Sequence, residues 1–573
     1  MRPLLRLALH SSPRLYIKSK TSLGLVSFLM VKRKSDVLGD SFSIQPPTQI
    51  RKMTTQPATT TIELTPKEAQ LKDLLLDAAK FIDQSGKAQE PIVLRWAGGW
   101  VRDKLLGIQS HDIDTAINVM TGEAFALKLC ELCEQPDTIK KHGIAESDVG
   151  NLHKIARNPE KSKHLETTTI KLFGYDVDFV NLRKETYTED SRNPQMEFGT
   201  AQEDALRRDA TVNALFYNLN TGKVEDFTTG LTDMKAKLIR TPLEPFQTFM
   251  DDPLRVLRLI RFASRLEFTI DAAAAQVMGD SRVLDALRLK ISRERVGVEV
   301  EKMLKGNHPR KALEYINNHG LYHTIFTDPS KQDIPTPNIA TWPAVLNCLD
   351  SLRRSKTPGS IYDVLVRSDE AAYYAWVLAA LCPWESVEDS PRKGKGKAPP
   401  PFGTLAVREG IKANNKLCDL VTAAHTNIRE IMDLMMKVTS YDPIIKERDK
   451  FGMAIRRWDS KAGHWRLQVL YAIMNEGQAL GIEDPTTDHG FVSRWQLFLD
   501  FLQELDVMDS PSLKRLIDGT QLAKALGVKP GRWMASALEI CVAWQLRHPE
   551  ATDPTGAIEE VQSRRAELGI PEK

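Results

Sequence analysis

The chain has 573 residues, of which 42% are hydrophobic and 27% charged; this is a globular composition and excludes a disordered chain or a coiled coil. At about 150 residues per domain, the length predicts several packed units. The first 53 residues hold ten Lys or Arg against two Asp, a charge of +8, which leaves −5 for the remainder of a chain whose net charge is +3. Overall charge therefore gives no argument for nucleic-acid binding by the body. Because no run of about 18 apolar residues occurs, we expect no transmembrane helix and no membrane partner.

The amino-terminal segment has the composition of an organelle address. Its first 35 residues contain no Asp or Glu, and Arg2, Arg6 and Arg14 are interleaved with Leu and Ser residues. An Arg-rich, Ser-rich and acid-poor amphipathic segment is typical of a mitochondrial transit peptide. Translation from Met30 or Met53 would remove most of this segment, so cytosolic and nuclear forms are also expected.

The six cysteines are few for this length, which indicates a reducing compartment. Cys130 and Cys133 form a C-x-x-C pair, but the sequence has no second such pair to complete a zinc site. Because 124–134 also has the apolar spacing of an amphipathic helix, two buried helical thiols are a better interpretation than zinc ligands.

Order is expected to begin after a polar, Ser-, Thr- and Pro-rich stretch that ends at residue 62. Thr65, Pro66 and Glu68 predict a capped helix start, and the helix should run to about Gln84. Beyond Leu206 the apolar periodicity is almost entirely helical. The intervening patterns predict strands at 92–97, 113–117 and 175–182, and a helix at 100–106.

Asp112 and Asp114 lie two residues apart on a predicted strand, so their carboxylates share one face. Two convergent carboxylates suit a Mg²⁺ ion beside phosphate groups. Gly98 and Gly99 precede them at a strand-to-helix turn, where glycines let the backbone approach a triphosphate closely. Taken alone, each feature is equally typical of a solvated loop or an ordinary tight turn.

The combination is more specific. The stretch from Gly98 to Asp114 resembles the nucleotidyltransferase signature of the polymerase-β superfamily. Further motifs at 207–215, 226–233, 251–258 and 292–299 resemble, in order and spacing, motifs B, C, D and E of class II CCA-adding enzymes (tRNA nucleotidyltransferases) of the eukaryotic type.

This resemblance implies template-independent addition and repair of the 3′-terminal CCA of tRNA from CTP and ATP, with release of pyrophosphate and with two Mg²⁺ ions as cofactors. It implies an α+β nucleotidyltransferase head with a small mixed sheet, followed by an all-α neck, body and tail. The corresponding segments are a leader and linker (1–62), a catalytic head (63–225), a helical neck with the nucleotide-selecting motif (226–310), a helical body (311–430) with a low-complexity insertion (385–403), and a helical tRNA-binding tail (431–573).

The resemblance also assigns site residues. Asp112 and Asp114 would be catalytic metal ligands, with Asp178 as the third; Asp176 lies on the same strand face and stays an alternative. Nucleotide binding is assigned to Gly98, Gly99, Arg102, Arg208, Asp209, Asn213, Asp252, Arg255 and Arg258. Structural support of the neck is assigned to Arg293, Arg295 and Glu299.

Asp252 and Arg255 lie three residues apart and would share a helix face. An Asp carboxylate can accept the exocyclic amine of cytosine or adenine while an Arg guanidinium serves the ring nitrogen. Uracil and guanine present a carbonyl and a ring N–H there, and the unmatched groups give discrimination of about 10⁴-fold. Alternatively, Asp252 before Pro253 is a helix N-cap. Asp251 stands where the family has Glu.

Other readings remain open. A poly(A) polymerase of the same class shares these motifs, an enzyme adding only C or only A is a narrower variant, and an RNA-binding protein on an inactive scaffold is a third class. The segment 143–166 holds Lys154, Arg157, Lys161 and Lys163 together with several Gly, Asn and Pro residues. It is either the loop that in the family helps the switch from CTP to ATP, or a plain surface loop.

Overall fold

A computed structural model describes residues 61–86, 90–150, 153–155, 167–188, 191–331, 334–389, 399–441, 447–482, 484–485 and 487–571. The predicted transit segment lies outside the described residues, as do most of the predicted loop at 143–166 and 390–398 of the low-complexity insertion. Residues 57–573 form one compact unit. No described helix is long and apolar enough to cross a membrane.

The strands of the described chain are concentrated in its first third. They are β1 (Leu94–Ala97), β2 (Asp112–Ile117), β3 (His153–Ile155), β4 (Thr167–Leu172), β5 (Tyr175–Asn181), β6 (Arg183–Thr188), β7 (Ser191–Phe198), β8 (Leu215–Asn218), β9 (Lys223–Asp226), β10 (Leu238–Ile239) and β11 (Thr269–Ile270).

Seven of these strands form a mixed sheet in the order β3-β4-β5-β2-β1-β8-β9. Strands β2 and β5 are parallel, and every other pair in the sheet is antiparallel. Strands β6 and β7 form a separate hairpin, and β10 and β11 a short parallel pair. The carboxylate-bearing strands therefore occupy the middle of the sheet.

The helices of the head pack around this sheet, and the first confirms its predicted start. Thr65 Oγ1 accepts the Glu68 N–H at 3.3 Å while the Glu68 carboxylate accepts the Thr65 N–H at 2.7 Å, a complete capping box. Cys130 and Cys133 lie on α3 with no disulfide; burial raises the pKa of both thiols, that of Cys133 to about 11. The helices of the head, among them the α3 just mentioned, are α1 (Pro66–Gln84), α2 (Gly99–Leu105), α3 (Gly122–Cys133), α4 (Pro136–His142) and α5 (Ala201–Leu206).

The rest of the described chain is mainly helical. Its helices are α6 (Gly230–Lys235), α7 (Pro245–Asp251), α8 (Leu254–Leu266), α9 (Ala272–Met278), α10 (Ser281–Lys290), α11 (Arg293–Leu304), α12 (Pro309–Asn318), α13 (Tyr322–Ile325), α14 (Trp342–Arg354), α15 (Ile361–Leu365), α16 (Asp369–Leu381), α17 (Phe402–Leu405), α18 (Asn415–Thr439), α19 (Arg448–Asp459), α20 (Trp465–Leu480), α21 (His489–Glu504), α22 (Gly519–Leu526), α23 (Met534–Arg547) and α24 (Thr555–Ser563). An α+β head followed by a helical remainder confirms the predicted fold class.

The expectation of almost exclusively helical structure after Leu206 was wrong at β8 and β9. All four residues of β8 are buried, so the strand lacks the apolar and polar alternation that a half-exposed strand shows. A run of four buried residues cannot be told from a helix segment by periodicity alone, and only its pairing with β1 and β9 decides its conformation.

One continuous apolar core runs from α1 to α21, whereas α22 to α24 enclose a separate small cluster. Helix α8 shows how the core positions charged groups. Its apolar residues are buried in the core, and its four arginines recur every three or four residues. This second stripe of α8 provides the side chains of the site described next.

Candidate active site

Four carboxylates lie on one face of the paired strands β2 and β5. In this parallel pair Asp112 lies beside Asp176, and Asp114 lies beside Asp178. Side chains at directly paired positions point to the same face of a sheet. The buried Ile113 between the two β2 carboxylates points to the opposite face. The register therefore brings the predicted catalytic residues Asp112, Asp114 and Asp178 to one surface.

Neighbouring side chains distinguish Asp178 from Asp176. On β4, the Thr169 hydroxyl donates a hydrogen bond to the Asp178 carboxylate at 2.5 Å. Asp176 is 53% exposed and has the Lys171 ammonium 3.8 Å away. The Thr169 hydroxyl thus fixes one oxygen of Asp178, whereas Lys171 already offsets part of the charge of Asp176. The geometry therefore favours Asp178 as the third carboxylate.

The carboxylates repel one another. Asp114 keeps solvent-accessible surface, yet desolvation where protein crowds its carboxylate is the largest influence and raises its pKa; Asp178 and Asp112 add to the rise, and Arg208 opposes it. The pKa of Asp178 is also raised, first by burial and then by Asp112 and Asp176, against the Thr169 hydrogen bond. A bound cation would relieve this repulsion.

The donor set suits a hard cation such as Mg²⁺, because every candidate ligand is a carboxylate oxygen. In the described part of the chain, no three His, Cys, Asp or Glu side chains stand close enough together to hold a metal ion as they are. The candidate ligand set is therefore assigned from strand register and chemistry.

Gly98 lies between the Asp114 carboxylate and Arg208, where the triphosphate is predicted to bind. Its φ of 68° and ψ of −123° belong to a region open to glycine alone. A Cβ there would stand 2.8 Å from Nη1 of Arg208 and 3.7 Å from Oδ2 of Asp114. Gly99 opens α2, and a Cβ on it would meet Nη2 of Arg102 only at 3.7 Å. The backbone conformation thus demands a glycine at position 98 and not at 99, and any larger residue at 98 would also displace the Arg208 guanidinium.

Arg208 is held between three groups. Its guanidinium lies 3.0 Å from the buried Asp204 carboxylate, donates to the Asn213 backbone carbonyl at 3.1 Å, and has its Cζ 5.1 Å from the Phe216 ring centroid. Arg207 pairs with the same Asp204. Arg208 therefore presents a fixed positive charge next to Gly98.

A buried polar chain connects other predicted nucleotide-binding residues. Arg102 donates to Asp103 at 2.8 Å and to the Asn213 side chain. Asn213 in turn donates to Asp209 at 3.1 Å, and Nε of Arg258 donates to Asp209 at 2.6 Å. Although burial opposes it, the Arg258 charge holds the pKa of Asp209 well below its usual range. These residues therefore form a rigid, mutually neutralised support.

The predicted selecting pair lies at the junction of α7 and α8. The interpretation of Asp252 as the N-cap of α8 was wrong: α8 begins at Leu254 after an N-cap Pro253, and Asp252 ends α7, although its Oδ1 accepts the Leu254 N–H at 3.2 Å. Nη2 of Arg255 donates to the backbone carbonyl of Arg207 at 2.8 Å. Motif D is thus tied directly to motif B.

Arg293 of motif E contacts backbone far along the chain. Arg293 is buried and donates to the carbonyls of Gly410 and Ile325 at 2.7 Å and of Thr324 at 2.9 Å. These bonds anchor the start of α11 to the body. A second contact was not anticipated: the Arg295 guanidinium lies 4.0 Å from the Asp252 carboxylate.

Glu299, one turn along α11 from Arg295, accepts Nε of Arg261 at 2.7 Å and lies 3.7 Å from Arg258. The ring of Phe262 lies beside the same arginines, with Cζ of Arg261 at 4.5 Å and Cζ of Arg258 at 5.4 Å from its centroid. Such distances allow cation–π stabilisation. Glu299 and Phe262 together therefore fix two arginines of α8.

Several residues that organise the site were not found from the sequence. No pattern in the sequence marks these residues as parts of the site, and the contacts that give them a role are seen only in the folded chain. They are Asp103, Thr169, Asp204, Arg261 and Phe262.

Two protein-family models match parts of this chain. Residues 94–240 match the Poly A polymerase head domain, which spans the sheet and motifs B and C. Residues 268–332 match a probable RNA- and SrmB-binding site of polymerase A. These matches cover the segment that carries most of the site.

Relatives extend the likeness along the chain. Nucleotidyltransferase lcsQ of Purpureocillium lilacinum is 53% identical over 89% of this chain and 93% of its own length. The mitochondrial CCA tRNA nucleotidyltransferase of Candida glabrata is 38% identical over 86% of this chain and 94% of its own. A solved CCA-adding enzyme in an apo form shares the fold, with a TM-score of 0.60 at 20% identity over 87% of this chain and 96% of its own. The chain therefore belongs to the CCA tRNA nucleotidyltransferase family.

Proposed function

We propose that this enzyme adds and repairs the 3′-terminal CCA of tRNA without a nucleic-acid template, using CTP and ATP and releasing pyrophosphate. The observation that carries the proposal is the bond from Arg255 to the Arg207 carbonyl, because it joins the base-selecting pair to the motif that borders the carboxylate face. The family membership and the names of relatives such as the Candida glabrata enzyme support the choice of tRNA as substrate.

The reaction is an in-line attack of the tRNA 3′-hydroxyl on the α-phosphate of the nucleotide. Nucleotidyltransferases of this family use divalent cations, and Asp112 and Asp114 would hold two Mg²⁺ ions, with Asp178 completing the one nearer the hydroxyl. When bound, such ions lower the pKa of an attacking hydroxyl and neutralise charge on the leaving group. Asp112, Asp114 and Asp178 thus mark the place where the reacting groups meet.

The other residues position the nucleotide. Arg208, held by Asp204 beside Gly98, places a fixed positive charge for the triphosphate. Asp209, Asn213, Arg102 and Arg258 hold the floor of the site rigid, so that catalysis rests on orientation and charge neutralisation.

Base selection rests on Asp252 and Arg255. The Asp252 carboxylate accepts a hydrogen bond from the exocyclic amine that cytosine and adenine share. The guanidinium of Arg255 donates to the ring nitrogen, while its Nη2 keeps the hydrogen bond to the Arg207 carbonyl. UTP and GTP would face like groups and are rejected. One protein surface thereby replaces a template.

The deciding experiment uses purified full-length protein and a tRNA transcript that ends before the CCA. With CTP alone we expect addition of two cytidines, with CTP and ATP together a complete CCA, and with UTP or GTP no addition. Asp114→Asn is the inactive control. Long adenosine tails from ATP alone would instead identify a poly(A) polymerase, and addition of only C or only A would identify a partial enzyme. RNA binding with no incorporation by the native protein would identify an inactive scaffold.

We also propose that residues 1–35 direct one form of the enzyme to mitochondria, and that translation from Met30 or Met53 yields cytosolic and nuclear forms. The acid-free, Arg-rich composition of the segment supports this, as do the mitochondrial relatives. Fluorescent fusions that begin at Met1, Met30 or Met53 test it. Mitochondrial signal from the Met53 fusion would contradict the assignment of the address to this segment.

A further inference from the structure

The contact between Arg295 and Asp252 connects motif E to base selection. The two side chains are 32% and 21% exposed, so their 4.0 Å ion pair is partly shielded from water. We propose that Arg295 is a specificity-positioning residue: its charge attracts the Asp252 carboxylate and holds it where it can accept a hydrogen bond from the exocyclic amine of CTP or ATP. The inference rests on the proposed function and adds a determinant of nucleotide choice.

The base of α11 is rigid enough for this role. Arg293, two residues before Arg295, is bonded to three backbone carbonyls of the body. A Cβ on Gly297, two residues after it, would collide with the carbonyl of Ile411, so the helix packs directly against that backbone. The backbone that bears Arg295 is therefore fixed on both sides.

The same face of α11 grips α8 at a second point. Residues four apart on a helix lie one above the other. Glu299 thus lies one turn from Arg295, and it holds Arg261 at 2.7 Å and Arg258 at 3.7 Å. Arg295 of α11 therefore lies beside Asp252, which precedes α8. Glu299 of α11 lies beside Arg258 and Arg261, which belong to α8. This complementary pattern fixes the register of the two helices where Asp252 stands.

Arg258 also lies near Asp252, but its guanidinium is paired with two other carboxylates. Its Nε bonds Asp209 at 2.6 Å, and Glu299 lies 3.7 Å from its Nη1. Within the described part of the chain, Asp252 is the carboxylate that lies within ion-pair distance of Arg295. Arg295 is accordingly a cation that can act on the selecting carboxylate.

The chemistry predicts a loss of discrimination between nucleotides. An ionised carboxylate only accepts hydrogen bonds, so Asp252 can pair with the amine of cytosine or adenine and not with the carbonyl that uracil or guanine presents there. Without Arg295 the Asp252 carboxylate loses the contact that holds it in place. Since only CTP and ATP bond this carboxylate, their incorporation should fall toward that of UTP and GTP.

The test compares native enzyme with Arg295→Gln, Arg295→Lys and a control, Arg288→Gln, whose side chain is 51% exposed on the same neck. We measure kcat/KM for CTP and UTP on tRNA that lacks CCA, together with melting temperatures. For Arg295→Gln we expect the CTP-to-UTP ratio to fall about 10-fold, as for the loss of one partly shielded ion pair. Arg295→Lys and Arg288→Gln should stay within about 3-fold of native.

Equal losses with CTP and UTP in Arg295→Gln would indicate mere support and overturn the proposal, as would an unchanged ratio. If Arg295→Gln does not fold, Arg295→Lys decides the question. A CTP-to-UTP ratio about 10-fold below native in this charge-retaining variant would contradict a role for the charge. Failure of the native protein to add CTP at all would contradict the proposed function, which is a separate outcome.

Discussion

The guanidinium of Arg255 donates a 2.8 Å hydrogen bond to the backbone carbonyl of Arg207, 48 residues earlier in the chain. Arg207 and Arg208 share the buried carboxylate of Asp204. Arg208 in turn lies against Gly98, next to the carboxylate face. A continuous set of contacts therefore runs from the base-selecting residue to the place where phosphate chemistry is proposed.

Replacement of Arg255 by Lys should reduce activity and fidelity together. A lysine is a single donor group without a planar fork, so it cannot hold the Arg207 carbonyl and serve the ring nitrogen in the same geometry. We expect kcat/KM for CTP and ATP to fall about 100-fold, with a much smaller change for UTP. Single-nucleotide incorporation measures both. Arg288→Lys is the control, and equal losses for CTP and UTP would show that Arg255 only supports the fold.

Gly98→Ala should damage the site through both strain and collision. The alanine would have to adopt φ 68° and ψ −123°, and its Cβ would stand 2.8 Å from Nη1 of Arg208. We expect unfolding to become easier by about 2–4 kcal/mol and activity to fall at least 100-fold as Arg208 moves.

Gly107→Ala separates the two effects. Gly107 has a φ of 73°, but nothing lies within 4 Å of the Cβ position. We expect a stability loss of about 1–2 kcal/mol from strain alone and nearly native activity. If both variants lost the same activity, the contact of Gly98 with Arg208 would not explain the defect.

Asp178 and Asp176 should differ in their importance for catalysis. Asp178 is directed by the Thr169 hydroxyl, whereas Asp176 is 53% exposed beside Lys171. We expect Asp178→Asn to lower kcat about 1,000-fold and Asp176→Asn to stay within about 3-fold of native. Steady-state rates on tRNA lacking CCA test this, and the reverse order of effects would assign the ligand to Asp176.

Features that depend only on neighbouring residues could be predicted from the sequence. The capping box at Thr65 and Glu68 acts within one helical turn, and the Asp112–Asp114 spacing needs only strand geometry. Strand β8 was missed because its four buried residues become a strand through pairing with β1 and β9. The contact of Arg295 with Asp252 joins two helices, so no local pattern could reveal it. The sequence thus predicted the candidate carboxylates, and the folded chain was needed to show which side chains hold their surroundings in place.

Asp114→Asn should abolish activity and yet stabilise the metal-free protein. Burial and the neighbouring Asp178 and Asp112 raise the pKa of Asp114, so its ionised form costs stability near neutral pH and the cost disappears as pH falls through that raised pKa. The neutral amide removes the cost, and activity should fall about 1,000-fold. Differential scanning calorimetry should give a higher melting temperature for the variant without Mg²⁺. Added Mg²⁺ should stabilise the native enzyme more than the variant; an equal Mg²⁺ effect would contradict Asp114 as a ligand.

His425 should make the stability of the helical body depend on alkaline pH. On α18 its Nδ1 lies 2.7 Å from Glu385 and its Nε2 3.0 Å from Asp389, and these hydrogen bonds, that with Glu385 first, raise the pKa of His425 to about 9. Because the folded pKa lies above the usual value of 6.5, the stabilisation is complete below about pH 6.5 and is lost as pH rises through about 9. We expect His425→Gln to cost roughly 1–2 kcal/mol at pH 6 and much less at pH 10, measured by urea unfolding. His308→Gln, whose partner Glu267 is 64% exposed, should change stability by less than about 0.5 kcal/mol at either pH. A cost of His425→Gln that does not decline with rising pH would exclude the charged histidine as its cause.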